Sequence, residues 1–157
     1  MARVAVVTGG TRGIGHAIST ALKNKGFRVA ANYAGNDAVA RQFQAERGIP
    51  VYKFDVGDWA QCEKGVAQIA RDLGPIDVLV NNAGINYPVT FLDVTEEQYD
   101  SIMTLNVRAL YFLAQAVAAR MVEAGRPGSM IDGSSHVGPV RAAIPTLYCA
   151  SKRACGG

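Results

Sequence analysis

The chain has no long block of charge, no paired cysteine spacing and no apolar stretch of membrane length. Each absence narrows what it can do. Its three cysteines, Cys62, Cys149 and Cys155, are odd in number and show no C-x-x-C spacing. Neither a disulfide framework nor a zinc site follows, no metal is expected, and a reducing cytoplasm suits such thiols. The net charge is only +3, and no Lys/Arg run offers the basic stripe that nucleic acid or an anionic membrane requires. No apolar run approaches the ~18 residues of a membrane span. Met1-Ala2-Arg3 leads straight into a strand-like run, too short for a signal-peptide core.

What remains is an ordinary globular composition: 157 residues, 49% hydrophobic and 18% charged. That predicts one domain, residues 1–157, with a sizeable core. Short β-rich runs alternate with helical spacing. Strands are predicted at Val4 to Val7, Arg28 to Tyr33, Val51 to Phe54 and Ile76 to Val80, with a weak fifth at Ser129 to Gly133. Helices are predicted at Ile14 to Lys25, Asp37 to Arg47 and Trp59 to Leu73. A longer one starts at Thr95-Glu96-Glu97-Gln98, where the Thr and Gln have capping-box spacing, and runs with a break to Glu123. A last helix covers Leu147 to Ala154, after a loop from Ser134 to Pro145. Strand–helix alternation with strands apolar on both faces predicts a doubly wound α/β parallel sheet, Rossmann-like, with ligands at the carboxyl ends of the strands.

The motifs fall at those ends. Thr8-Gly9-Gly10-Thr11-Arg12-Gly13-Ile14-Gly15 joins the first strand to the first helix with G-x-x-x-G-x-G spacing. Glycines let the backbone approach a pyrophosphate, and the helix N-terminus offers free N–H groups; an ordinary glycine-rich turn is the alternative. From Val29 to Asn36 there is no acid to bind ribose hydroxyls, and Asp37 reads as a helix-start charge. With Arg12 in the loop, a 2′-phosphate is welcome, which favours NADP(H) over NAD(H). Tyr148 and Lys152, four apart in a helix, share a face. A nearby cation lowers the pKa of a phenol, but with six tyrosines in the chain such a pair is weak evidence alone. Ser134-Ser135 after the fifth strand, Asn81-Asn82-Ala83-Gly84 after the fourth and Asn106 inside an apolar helix supply context. A buried Asn is more often a network residue than a catalyst. His16 reads as a surface residue, His136 as a candidate substrate contact, and Cys149 and Cys155 as inert thiols.

Taken together, Thr8-Gly9-x-x-x-Gly13-Ile14-Gly15, Asp55-Val56, Asn81-Asn82-Ala83-Gly84, Asn106, Ser135 and Tyr148-x-x-x-Lys152 resemble the short-chain dehydrogenase/reductase family across essentially the whole chain. The resemblance implies that Tyr148 is the general acid, that Ser135 polarises the substrate carbonyl, and that Lys152 binds the nicotinamide ribose and lowers the tyrosine pKa. It implies a proton relay at Asn106, an adenine contact at Asp55, and a cofactor cleft lined by Gly9, Thr11, Arg12, Gly13, Ile14, Gly15, Val56, Asn82, Ala83 and Gly84. The partner implied is a small carbonyl compound. The segment before Ile85 resembles acetoacetyl-CoA and 3-oxoacyl-carrier-protein reductases, and beyond Asn86 it is closer to sugar- or polyol-acting members. A CoA thioester therefore leads as substrate; a sugar or polyol, or cofactor binding without catalysis, are the alternatives. Five residues follow Lys152, so a sheet lacking the family's last two strands is expected. The resemblance implies a homo-oligomer through the helix-packed interface the family commonly uses, and the shortened last helix is expected to weaken that interface. Asp132-Gly133 departs from the family's usual Asn and apolar residue.

Overall fold

A computed structural model of the chain describes residues 2–135 and 146–155. Strand β1 (Val4–Val7) shows why a sheet takes the centre: all four residues are apolar and buried. Val4 and Val6 enter one core while Ala5 and Val7 enter another. Successive strand side chains face opposite ways, so such a strand must be covered on both sides.

The chain continues through α1 (Gly13–Asn24), β2 (Arg28–Tyr33), α2 (Asp37–Arg47), β3 (Val51–Lys53), α3 (Trp59–Leu73) and β4 (Ile76–Asn81). Then come α4 (Glu96–Ile102), a π-helical turn (Met103–Arg108), α5 (Ala109–Glu123), β5 (Ser129–Asp132) and α6 (Thr146–Ala154). The strand order is β3-β2-β1-β4-β5, and every pairing is parallel. Helices α1 and α2 cover one face with Ile18, Leu22 and Phe43; α3 and α5 cover the other with Val66, Ile69, Leu113 and Val117. This is the doubly wound α/β sheet that the alternation predicts. Because the chain moves outward from β1 to β3 and then returns to place β4 on β1's other side, the sheet order reverses between β1 and β4. A crevice opens at that point, at the carboxyl ends.

Local signals set the helix limits. Asn36 caps α2 by accepting from the Val39 N–H, and Gly48 ends it in the left-handed conformation at φ +58°. Thr95 and Gln98 form the expected capping box at the start of α4. Three strand ends shift by a residue from expectation: Phe54 and Gly133 fall outside their strands, and Asn81 falls inside β4.

The break expected before Glu123 is the π-helical turn, which inserts a wider loop without ending the helix. The uninterrupted helix from Glu96 to Glu123 is 28 residues, long and apolar enough by length and composition to cross a membrane. That corrects the expectation that no segment approaches such a length. Its apolar positions Ile102, Ala109, Leu113, Val117 and Met121 are buried, and most pack into the core beneath the sheet, while the apolar window as a whole is 28% buried.

Candidate active site

The crevice is built where β1 ends. Thr8 Oγ1 donates to the Val80 carbonyl and accepts from the backbone N–H groups of Asn82 and Ala83, each at 2.9 Å. Asn82 Nδ2 returns a bond to the Thr8 carbonyl at 2.9 Å. Asn32, buried in β2, donates to the Phe54 carbonyl at 2.8 Å and accepts from the Gly9 N–H. Three strand ends are thereby tied around the glycine loop. Gly9 turns at φ +60°. A Cβ on Gly15 would lie 2.7 Å from Asn82 Nδ2 and closer still to the Gly9 carbonyl, so only glycine fits where helix and loop meet.

Above this loop lies a cleft of about 820 Å³. Every cofactor residue expected between Gly9 and Gly84 lines it, from Thr11, Arg12 and Ile14 through Asp55 and Val56 to Asn82 and Ala83. Thr11 is buried while Arg12 is exposed. Asp55 is the one acid among the lining residues, and its carboxylate accepts from the Gly57 N–H at 2.8 Å. The β2 end contributes Tyr33, Ala34, Gly35 and Asn36, none of them acidic. Asp37 follows immediately, held by the Tyr33 hydroxyl and the Lys53 ammonium rather than lining the cleft.

The remaining expected residues, Asn106, Ser135, Tyr148 and Lys152, do not line this cleft. Asn106, 1% exposed, has its amide fully engaged. Its Oδ1 accepts from the Ile85 N–H at 2.9 Å, and its Nδ2 donates to the Ile85 carbonyl and to Ser151 Oγ, both at 3.0 Å. The π-helical turn that carries Asn106 thus joins the loop after β4 to α6. Ser151 in turn donates to the Tyr148 carbonyl at 2.8 Å. Lys152, 5% exposed, donates from Nζ to the Gly133 carbonyl at 2.6 Å and stands 5.8 Å from the Tyr148 ring centroid. A Cβ on Gly84 would meet Asn106 Oδ1 at 3.1 Å and Lys152 Nζ at 3.5 Å. Gly84, in the cleft wall, therefore stands against Asn106 and the Lys152 ammonium. Ser135 is half-buried three residues past β5, and Ser134 donates to the Lys152 carbonyl at 3.1 Å.

Several expectations need revision or addition. His16 is partly exposed, and its ring packs edge-on to Phe43 at 4.9 Å. His136 lies outside the described residues. Cys155 donates from Sγ to the Asn106 and Ser151 carbonyls, and burial pushes its thiol up; burial likewise pushes Cys62 up to about 11. Both stay protonated at neutral pH, as inert thiols should. Among the described residues no cluster could hold a metal ion. Sequence reasoning missed Ser151 as the bridge between Asn106 and Tyr148. Its only signal was its place between two candidate groups on one helix. Asp132 accepts from Asn81 Nδ2 at 2.9 Å, which gives this unusual acid a partner.

A family model described as short chain dehydrogenase matches residues 3–157. The chain is 51% identical over 121 residues to an acetoacetyl-CoA reductase of Shinella zoogloeoides, covering 77% of this chain and 50% of that protein. It is 45% identical over 152 residues to the acetoacetyl-CoA reductase of Paracoccus denitrificans, covering 97% and 62%. Among solved structures, a gluconate 5-dehydrogenase from Burkholderia cenocepacia in complex with NADP and tartrate superposes with a TM-score of 0.86 at 29% identity, covering 97% of this chain and 61% of that one. The chain thus spans about half to three-fifths of the length of the relatives it matches.

Proposed function

The chain belongs to the short chain dehydrogenase family, and on that premise we propose that it is an NADP(H)-dependent oxidoreductase that reduces a ketone to a secondary alcohol. A 3-oxoacyl thioester such as acetoacetyl-CoA is the leading substrate. The observation that supports this reading best is the approach of Lys152 Nζ to within 3.5 Å of a Cβ position on Gly84, a residue that lines the glycine-loop cleft. The similarity to two acetoacetyl-CoA reductases supports the substrate class.

The residues present fit a phosphorylated dinucleotide. The loop has no room for a side chain at Gly15, Arg12 is an exposed cation, and no carboxylate stands at the β2 end of the cleft. Gly9 to Gly15 would hold the pyrophosphate, Arg12 the 2′-phosphate, Asp55 and Val56 the adenine, and Asn82, Ala83 and Gly84 the middle of the molecule. When bound, the cofactor supplies a hydride to the carbonyl carbon. Tyr148 gives its phenolic proton to the carbonyl oxygen, and Ser135 donates a hydrogen bond to that oxygen as negative charge develops. Lys152 would hold the nicotinamide ribose hydroxyls, exchanging its bond to the Gly133 carbonyl for them. Asn106 keeps the loop after β4 and α6 in register, and a proton relay would start from it.

Exposed aromatic and apolar groups on α5, Tyr111 and Val122, support a homo-oligomer. The test is direct: titrate NADPH and NADH, then follow NADPH oxidation with acetoacetyl-CoA. Tighter NADPH binding with turnover is expected; tighter NADH binding refutes the cofactor assignment. Turnover of a sugar or polyol but not the thioester would move the substrate to the class of the gluconate enzyme.

A further inference from the structure

The β2 end of the cleft carries a charge arrangement that the roles above leave unused. Asp37 is the first acid after β2, and the Tyr33 side chain, which lines the cleft, reaches its carboxylate with a hydrogen bond of 3.0 Å. A carboxylate one hydroxyl away from the cleft would repel a doubly charged 2′-phosphate and favour bare ribose hydroxyls. Yet Asp37 does not line the cleft. Both its oxygens meet Lys53 Nζ, at 2.9 and 3.0 Å. The sheet itself makes this meeting: in the parallel β2–β3 pairing Lys53 is the register partner of Tyr33, so lysine and tyrosine arrive at Asp37 side by side.

We propose that Lys53 is a specificity-determining residue: by neutralising Asp37 and drawing it off the cleft, it leaves the β2 end open to a 2′-phosphate. Lys53 does not line the cleft, so its role is to cancel a charge rather than to grip the cofactor. Hydrogen bonds from Lys53 and then Tyr33 hold the Asp37 carboxyl below the ordinary carboxylate range. The same pair holds the Lys53 ammonium above its ordinary value, so both stay ionised at neutral pH. Their side chains are 53% and 43% exposed. An exposed pair of this kind contributes little to stability. What it changes is the field at the cofactor. Arg41 adds a further nearby positive charge to both partners.

The inference rests on the NADP(H) reading above, and the experiment separates the two. Wild type, Asp37→Asn, Lys53→Met and the double variant, each as the whole 157-residue chain, are titrated with NADPH and with NADH by cofactor fluorescence; circular dichroism verifies folding. Wild type binds NADPH more tightly. Lys53→Met lowers the NADPH-over-NADH preference by about three- to tenfold, as one uncompensated charge beside a doubly charged phosphate would. Adding Asp37→Asn restores the preference, because the pair is neutral again, while Asp37→Asn alone keeps or raises it. An unchanged preference in Lys53→Met overturns the proposal. So does a double variant as weak as Lys53→Met, which would make Lys53 a direct phosphate ligand. A wild type that binds NADH more tightly, or binds neither, overturns the cofactor reading before any variant is compared.

Discussion

Strands β4 and β5 lie side by side with four register pairs, Val78↔Ser129 through Asn81↔Asp132, yet every residue of β4 is buried and every residue of β5 is exposed. Composition does not explain this, since Met130 and Ile131 are as apolar as their partners Leu79 and Val80. The difference is cover. β4 pairs with strands on both edges and contributes to both cores, whereas β5 pairs along one edge, with β4, among the described residues. Hydrogen bonds can set a strand's register without burying it. The glycine-loop half of the proposed site rests on packed strands. The Tyr148–Lys152 half hangs on discrete polar ties, Asn81 to Asp132, Asn106 to Ser151 and Lys152 to Gly133.

The sharpest way to separate the halves is Tyr148→Phe. It removes one hydroxyl from the polar half and leaves the glycine loop untouched. Turnover of the ketone should fall by about 10²- to 10⁴-fold, the range for a lost general acid, with the dissociation constant for NADPH unchanged. Full activity in this variant would remove Tyr148 from the reaction. Loss of NADPH binding would show that the two halves are not separable.

Stability should split the same way. Leu79→Ala, at a position with no exposure, should cost about 2–5 kcal/mol in a urea titration, while Met130→Ala, 39% exposed, should cost less than about 1 kcal/mol. The two are register partners, so backbone pairing is held constant. Equal costs would break the comparison by showing that β5 is covered in solution.

How legible each half was follows from the same contrast. Repeating local signals mark the packed half: all-apolar β1, the nearly continuous apolar run of β4, glycine stops after α2 and α3, and the Thr95–Gln98 box all carry their meaning in neighbouring residues. The sheet and the glycine loop could thus be read directly. Residues brought together by register or by helix docking could not. Asp37 looked like a helix-start charge, which it is, but its ion pair depends on Lys53 arriving sixteen positions later on another strand. Ser151 looked like a spacer between Tyr148 and Lys152 until α6 docked against the π-helical turn. His16 looked exposed because its partner Phe43 belongs to a different helix. The candidate residues were named by motif; the bonds that hold them were not.

A smaller effect tests how β5 is anchored. At the amino end of the sheet, Asp77 of β4 accepts from the Val4 N–H of β1 and from Arg126, which leads into β5, each at 2.8 Å. Burial alone would raise the Asp77 carboxyl, but those bonds and the nearby cations outweigh it and hold its pKa below the ordinary value. The native state therefore binds that proton more weakly than the unfolded chain. The stability this contributes is present above the unfolded pKa near ~3.9 and is lost as pH falls through the folded value. Asp77→Asn keeps an acceptor for Val4 but loses the charge facing Arg126. Because Arg126 is 48% exposed, the loss should be only about 1–2 kcal/mol at pH 7, below the usual ceiling for charged hydrogen bonds. Urea titrations of both proteins should give a constant gap from neutral pH down to about pH 5, closing below about pH 4. A gap that persists in acid would mean that shape rather than charge joins β5 to the packed half of the sheet.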